Sequence, residues 1–270
     1  MKKTELHRFL PFEADYSLLK KCRTWENNGL IAISICSVIL PILNVYSTVP
    51  IILTITRIVN LFYFLLIIGY YILDIYTETF LYPATARKRR KGFIDNSLGS
   101  KFLNQTVTGY YTNDALKYGP YKMLVNCCEN CFFTLNIAKG MISHILIKTC
   151  VLTTVFISLA YLGIKDNLIA IPILQILLSA LFMTELIHHL NFITKLGQLF
   201  ERFIDTISNI NNNTPILQEA VLLFLDYETT LAYNKAPLSD NVYKKLNVQL
   251  SKEWEELKVR YDIIEKDLYC

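Results

Sequence analysis

Charged residues are scarce in this chain, and their scarcity excludes the composition of an ordinary soluble protein. Asp, Glu, Lys and Arg make up 19% of the 270 residues, whereas about 25% is usual for soluble domains. Apolar residues make up 53%, and the mean hydropathy is +0.32. A fully embedded protein would be more apolar still. The composition therefore predicts membrane spans together with a substantial aqueous part.

The sequence also lacks the short motifs that mark common catalytic sites. It has no Walker loop, no GxGxxG, no GxSxG, no HExxH and no protein-kinase set. Asp226 and Glu228 resemble a carboxylate pair, but helical side chains at that spacing point in different directions. We therefore expect no catalytic residues and no enzymatic activity.

The seven cysteines do not have the pattern of a disulfide scaffold. Their number is odd and the N-terminal residues are too polar for a secretory signal, so reduced thiols are expected. Cys128 and Cys131 have zinc-type spacing, but structural zinc needs four ligands and no second CxxC follows. Glu185 and His188 likewise lack a matching second motif. We expect packed cysteines, interfacial histidines, and neither a metal nor a cofactor.

Long apolar runs are what the chain has instead. Residues 29–45 and 50–73 predict one pair of spans, joined by a very short linker. Residues 140–162 and 168–186 predict a second pair. Each run reaches the minimum of roughly 17 residues that a span requires. The sequence therefore predicts an all-α membrane protein with four transmembrane helices and a helical cytosolic domain.

The cations indicate which parts of the chain lie inside the cell. They collect in the N-terminal arm, the middle loop and the tail, and cations resist translocation across a membrane. Both termini are therefore expected in the cytosol. The predicted domains are the cytosolic arm 1–28, the transmembrane hairpin 29–73, the cytosolic loop 74–139, the transmembrane hairpin 140–186 and the helical cytosolic tail 187–270.

Helical periodicity continues in the predicted aqueous parts. The residues predicted to be helical are 121–139, 191–210, 215–233 and 239–268, and the last of these is expected to have its N-cap at Ser239-Asp240. Lys148 and Glu185, near the inner ends of the third and fourth spans, are expected to form an ion pair if those helices are neighbours. The apolar stripe of the first of these helices contains Leu124, Cys128, Cys131, Leu135 and Ala138.

The run of five cations from Arg87 to Lys91 is the most obvious anion-binding signal. One interpretation is a topology signal that meets anionic lipid headgroups, at about 1 kcal/mol per cation. The other is phosphate recognition, because Arg binds phosphate oxygens bidentately and nearby tyrosines can stack on bases. The candidate ligand-binding residues are Arg87, Arg89, Arg90, Lys91, Asn96, Tyr110 and Tyr111.

Two polar side chains interrupt the apolar second span. Arg57 and Asn60 lie one turn apart on one face of the predicted helix. A charge at the centre of a span costs at least about 2.5–3.5 kcal/mol and usually faces a bundle interior or a watery cavity. Snorkelling of Arg57 to the interface is the alternative. Asn44, Arg57 and Asn60 are the candidate pore-lining residues.

The layout and several short strings resemble a group of bacterial defence proteins. The strings are RKRRKGFIDNSLGS after the second span, GYYTND and YGPYKMLVNCCENCFF in the middle loop, and WEELKVRY in the tail. Together with two pairs of spans, they resemble the SMODS-associating four-transmembrane effectors of antiphage defence. They are also similar to the membrane effector of the Hailong system.

The resemblance implies an ion channel or pore in the bacterial inner membrane that is gated from the cytosolic side. The implied ligand is a nucleotide or a short single-stranded oligonucleotide made by an operon-partner nucleotidyltransferase, and the outcome is abortive infection. In the Hailong system an oligodeoxyadenylate holds the channel closed, whereas cyclic nucleotides activate related effectors. Four spans of one chain cannot enclose a wide pore, so a homo-oligomer, with a tetramer favoured, is expected in the lipid bilayer.

A second function class stays open at this point. The chain has the features of a membrane scaffold or receptor subunit without a channel, whose C-terminal helices dock a cytosolic partner. Trp254, Leu257 and Tyr261 lie at helical spacing and would form the docking face. This class predicts no conductance in pure bilayers.

Overall fold

A computed structural model of the protein describes residues 9–46, 48–105, 107, 109–165, 181–210, 215–234 and 238–263. The fold over these residues is all-helical, without a strand, which confirms the predicted helical class. The helices are α1 (Glu13–Val45), α2 (Pro50–Tyr76), a π-helical turn (Thr77–Leu81), α3 (Tyr82–Leu98), α4 (Pro120–Lys165), α5 (Leu181–Ser208), α6 (Ile216–Asn234) and α7 (Asp240–Arg260).

The chain divides into two compact units. We call residues Pro11–Arg90 and Val151–Leu181 the hairpin unit. The helical unit contains Met1–Leu10, Lys91–Cys150 and Phe182–Cys270. The middle part of the chain from Lys91 and the C-terminal tail therefore belong to one compact unit.

The first helix of the hairpin unit is longer than the predicted first span. The sequence places a domain boundary at residue 28, but α1 passes through it without a break. The preceding residues are mostly good helix formers, and a single glycine inside a helix costs only about 1 kcal/mol. Gly29 also lies where α2 comes close, because a Cβ there would be 4.0 Å from the Tyr70 ring. The N-terminal arm and the first apolar run thus form one helix.

The second helix is long and apolar enough to cross a membrane. It begins at Pro50, which fits the first helical turn because proline has no N–H to donate there. The continuous helix Pro50–Leu98 has 49 residues, and its most apolar window has a mean hydropathy of 2.3 with 6% of its residues buried. It is the one helix within the described residues that meets these criteria of length and composition. Residues 166–180, in the predicted fourth span, lie outside the described residues.

The two long helices of the hairpin unit pack side by side near the basic stretch. Leu19 and Cys22 of α1 form a small buried cluster with Leu81, against which Leu73 and Tyr82 pack. Arg23 donates to Glu78 Oε1 at 3.2 Å, and its guanidinium lies 5.3 Å from the centre of the Tyr82 ring. These contacts place the N-terminal part of α1 against the π-helical turn and the start of α3.

The basic stretch is itself helical. The π-helical turn joins α2 to α3, so the helix that contains the apolar run continues through Arg87–Lys91 and ends at Leu98. Alanine, arginine and lysine are strong helix formers, which explains why the chain does not leave the helix at residue 74. The predicted loop 74–139 is therefore irregular only between α3 and α4.

The first part of helix α4, up to Cys150, belongs to the helical unit and lies at its centre. All seven residues from Met123 to Glu129 are at most 5% exposed. Rings from two later helices surround it, since the Phe132 ring centre is 5.7 Å from that of Phe200 and 5.9 Å from that of Trp254. The predicted apolar stripe is confirmed as buried: it consists of Leu124, Cys128, Cys131, Leu135 and Ala138.

Helix α7 begins where its sequence predicts. The Ser239 hydroxyl accepts a hydrogen bond from the Val242 N–H at 3.4 Å, which confirms the N-cap. The α4 backbone comes very close to this helix at Gly140, where a Cβ would lie 2.7 Å from Val242 Cγ1. Glycine at this position allows the two helices to approach.

Helix α3 ends at a glycine in the left-handed region. Gly99 has a φ of 72°, and its N–H donates to the Asp95 carbonyl at 3.0 Å. A Cβ at this position would lie 3.0 Å from the ring of Tyr118, so the backbone and the space both favour glycine.

We expect Gly99→Ala to destabilise the protein by about 1–2 kcal/mol, because a side chain in the left-handed region is disfavoured. Gly197→Ala is the matched control, because Gly197 lies within α5 and a Cβ added there would meet nothing within 4 Å. There alanine should raise the free energy of unfolding by up to about 1 kcal/mol. Thermal unfolding in detergent, followed by circular dichroism, measures both. Equal unfolding midpoints for the two variants would contradict the requirement for glycine at residue 99.

Candidate functional site

The cations of the basic stretch differ in exposure and in the unit to which they belong. Arg87 and Lys88 are exposed, Arg89 and Arg90 are half-buried, and all four lie in the hairpin unit. Lys88 Nζ forms an ion pair with Asp15 Oδ2 of α1 at 2.7 Å. The fifth cation, Lys91, is exposed and belongs to the helical unit.

The three other candidate ligand residues lie in the helical unit and are engaged there. The Asn96 amide oxygen accepts a hydrogen bond from Asn126 Nδ2 at 3.0 Å. Tyr111 is 8% exposed, and its ring packs edge-on against those of Phe93 and Tyr110. Tyr110 is 37% exposed, so it is the more accessible of the two tyrosines for stacking on a base.

A buried polar network, which no local pattern in the sequence indicates, connects α3, the irregular segment and α4. Asn126 Nδ2 also contacts the Ser97 hydroxyl at 3.1 Å, while its amide oxygen accepts from Asn113 Nδ2 at 3.0 Å. Asn113 donates as well to Glu129 Oε2 at 2.6 Å. Asn113, Asn126 and Glu129 are all at most 5% exposed. Three stretches that are distant in sequence are thus joined by side-chain hydrogen bonds.

Glu129 is the titratable member of this network. Burial raises the pKa of its carboxyl to about 7, although hydrogen bonds from the Thr112 side chain and backbone, the charge of Lys258 and the bond from Asn113 oppose this rise. The Thr112 hydroxyl donates to Glu129 Oε1 at 3.1 Å. The carboxyl therefore changes its protonation near neutral pH.

The same threonine connects the network to α7. Trp254 Nε1 donates to Thr112 Oγ1 at 3.1 Å, and Lys258 Nζ lies 3.4 Å from that oxygen. Trp254 is fully buried, whereas Leu257 and Tyr261 are half-buried. The indole is therefore used inside the helical unit and is not available as the centre of a docking face.

A second carboxylate, Asp95, holds the start of the irregular segment. Its oxygens accept from the Ser100 hydroxyl at 2.6 Å and from the backbone N–H groups of Phe102 and Leu103 at 2.7 and 2.8 Å. Burial alone would raise the pKa of Asp95, but these hydrogen bonds and the charge of Lys91 outweigh it and lower the pKa. This ionised carboxylate fixes the chain just beyond α3.

The cysteines of α4 are buried in an apolar environment. Cys127, Cys128 and Cys131 are all 0% exposed. Burial raises the pKa of the Cys128 thiol well above its usual range and that of Cys131 to about 12. The Cys131 thiol donates to the Leu196 carbonyl of α5 at 3.5 Å. All three cysteines are buried packing residues, as the sequence predicts, and the raised pKa values keep the thiols of Cys128 and Cys131 protonated.

The residues near the predicted inner ends of the third and fourth spans are neighbours. Lys148 Nζ and Glu185 Oε2 are 2.9 Å apart, which confirms the predicted ion pair. His189 is 5% exposed, and its Nε2 donates to the Ala138 carbonyl at 2.8 Å. His188 is exposed and stacks on Tyr233. Buried His189 therefore packs between helices, whereas His188 is the exposed one of the two histidines.

The three candidate pore-lining residues are on the surface of the hairpin unit. Asn44 lies at the end of α1, while Arg57 and Asn60 lie on α2, and all three are exposed. The adjacent Thr56 is 3% exposed, and its hydroxyl donates to the Ile52 carbonyl within the helix. The polar pair thus lies on α2 beside a buried position.

Comparison of the chain with protein-family models, with curated proteins and with solved structures gave no match.

Glu129 predicts a specific dependence of stability on pH. The unfolded chain releases this proton near pH 4.5 and the folded chain near pH 7. Because the folded state binds more protons between these values, the free energy of unfolding should fall as the pH rises from about 4.5 to about 7. The loss is on the order of 3 kcal/mol. Glu129→Gln stays neutral and should lack most of this fall, measured as the thermal midpoint in detergent from pH 4 to pH 8.

The matched control for this experiment is Glu256→Gln, because the Glu256 side chain is 65% exposed on α7. This variant should keep the pH profile of the unchanged protein. A profile of Glu129→Gln that overlays the unchanged protein would mean that another group controls the pH dependence.

Proposed function

We propose that this protein is a membrane effector whose copies assemble into an ion channel or pore, gated on the cytosolic side by a nucleotide or oligonucleotide. The proposal includes four transmembrane helices, an inner-membrane location and cytosolic termini. Homo-oligomerisation, with a tetramer favoured, is part of it because a single chain has too few spans to enclose a wide pore.

One observation carries the proposal: the apolar surface of α2 is exposed along the helix. Ile51, Ile58, Leu61 and Ile72 are between 62% and 72% exposed, although water is a poor environment for such a surface. A bilayer, or other copies of the chain, would cover it. Arg57 and Asn60 interrupt this surface, which supports a polar path once copies assemble.

The helical unit is the proposed cytosolic sensor. Its irregular segment is connected to α4 and α7 by the network around Glu129. The residues proposed to contact the ligand are Arg87, Arg89, Arg90, Lys91, Asn96, Tyr110 and Tyr111. Tyr110 is exposed and is the better candidate for stacking on a base, whereas Tyr111 is buried.

The biological role rests on the resemblance to the SMODS-associating four-transmembrane effectors and the Hailong membrane effector. By that resemblance, an operon-partner nucleotidyltransferase supplies the signal, and opening of the channel during phage infection stops the growth of the cell. The scaffold alternative has less support, because the indole at the centre of its docking face is buried.

Conductance of the purified full-length protein in planar bilayers tests the channel. Current that cytosolic-side oligonucleotides or cyclic nucleotides switch on or off is expected. Arg57→Gln removes a positive charge from the proposed pore wall, so the reversal potential in a salt gradient should move toward cation selectivity. Thr54→Ala, an exposed position one turn away, should leave it unchanged. No current from folded, oligomeric protein with any of these ligands would reject the channel.

Charge reversal tests the ligand site separately. Arg89→Glu together with Arg90→Glu should weaken nucleotide binding at least about tenfold, because each charge-assisted hydrogen bond contributes roughly 1.5–3 kcal/mol. Lys244→Glu with Lys245→Glu makes the same charge change on an exposed part of α7 and should not alter binding. The readout is titration calorimetry of detergent-solubilised protein that elutes as a single folded species. Unchanged affinity in the Arg variant would reject this site.

A further inference from the structure

Exposed aromatic side chains lie near the basic end of the hairpin unit, and three of them are at least 46% exposed. Trp25 of α1 is 62% exposed, Tyr76 of α2 is 46% exposed and Phe80 of the π-helical turn is 62% exposed. Arg23 contacts both Glu78 and Tyr82, so α1 and the helix containing the π-helical turn are adjacent at this level. Large exposed rings at the edge of an apolar segment are typical of a membrane–water interface.

On each of the two helices, an exposed cation lies beyond these rings on the side away from the apolar segment. Lys21 lies four residues before Trp25, and Arg87 lies seven residues after Phe80. Helical rise converts these separations to about 6 Å and about 10 Å along the two helices. The headgroup layer on one side of a bilayer is roughly 5–8 Å thick. When the rings lie at the edge of the hydrocarbon, Lys21 is within the headgroup layer, and the long side chain of Arg87 reaches back to it from just outside.

Lys88 and Arg23, which are close to Lys21 and Arg87 in sequence, form ion pairs within the hairpin unit. Lys88 pairs with Asp15, and Arg23 pairs with Glu78 with only 18% of its side chain exposed. Lys21 and Arg87 are exposed, and neither has an ion pair among the described residues of the hairpin unit. The exposed side chains of Lys21 and Arg87 can therefore bind an anion outside the protein.

We propose that Lys21 and Arg87, together with Trp25, Tyr76 and Phe80, form a binding surface for the headgroups of anionic phospholipids. We call this set the interface ring. The inference rests on the proposed membrane function in that the hairpin unit has to be in a bilayer. Lipid phosphate and nucleotide phosphate share one chemistry, but Trp25, Tyr76 and Phe80 lie at the edge of an exposed apolar surface, which favours lipid. Arg87 is then a lipid contact, and the proposed nucleotide contacts are those of Arg89, Arg90 and Lys91 with Asn96, Tyr110 and Tyr111.

The two tryptophans of the chain provide a direct probe of this surface. Trp25 is in the interface ring, whereas Trp254 is fully buried in the helical unit. The full-length protein is placed in phosphatidylcholine vesicles that contain a trace of dansyl phosphatidylglycerol or dansyl phosphatidylcholine. Energy transfer that is lost in Trp25→Phe reports lipid beside the ring. The excess of transfer to the anionic lipid measures the preference.

The proposal predicts more transfer to dansyl phosphatidylglycerol than to dansyl phosphatidylcholine, and an excess that falls as salt is raised. Each of the variants Lys21→Gln and Arg87→Gln should lower the preference about fivefold, and the double variant should abolish most of it. Lys244→Gln with Lys245→Gln removes the same charge from α7 and should preserve the preference.

Each contrary result identifies what has failed. Equal transfer to both lipids, or a preference that survives the double variant, overturns the interface ring while leaving the chain in the membrane. A control variant of Lys244 and Lys245 that loses as much of the preference as the double variant does would also overturn the interface ring. Displacement of the anionic lipid by a soluble oligonucleotide would assign these cations to nucleotide phosphate. Absence of transfer to either lipid would overturn both this inference and the proposed membrane function.

Discussion

The burial of the Glu129 carboxyl is the constraint on which the helical unit depends. A carboxyl removed from water needs hydrogen-bond donors inside the protein, because an unsatisfied buried polar group costs several kcal/mol. Thr112 and Asn113 supply those donors, so the irregular segment between α3 and α4 has to lie along α4. Thr112 is then in position to accept from Trp254, which fixes α7 to the same place. Contacts outside the segment therefore determine its path.

The two units treat apolar surface in opposite ways. Trp25 is 62% exposed and lies on a hairpin whose apolar side chains are largely open, whereas Trp254 is 0% exposed in a core of packed rings. The helical unit buries its apolar groups by wrapping later helices around α4, as a water-soluble domain does. Among the described residues of the hairpin unit, Leu19, Cys22 and Leu81 form a small buried cluster. Among the described residues, one chain thus combines a unit with a packed apolar core and a hairpin with a largely exposed apolar surface.

Local signals in the sequence predict much of the fold but little of the buried network. Pro50 and Ser239 mark helix starts correctly, because first-turn and N-cap preferences depend on neighbouring residues. Helical periodicity likewise identifies the buried stripe of α4. The bond between Thr112 and Trp254 joins residues 142 positions apart, and no local pattern encodes it. Charge identifies the basic stretch, but charge does not reveal that Lys91 belongs to a different unit from Arg87.

The long sequence separation within the network has a consequence for biosynthesis. The buried face of α4 is synthesised more than a hundred residues before the Trp254 that packs against it. At translation rates of about 5–20 residues per second, that face waits on the order of ten seconds for its cover. The apolar hairpin before it has by then left the ribosome. The α4 face is therefore covered first by α5, which brings Phe200 against Phe132, and its burial is completed only when α7 brings Trp254.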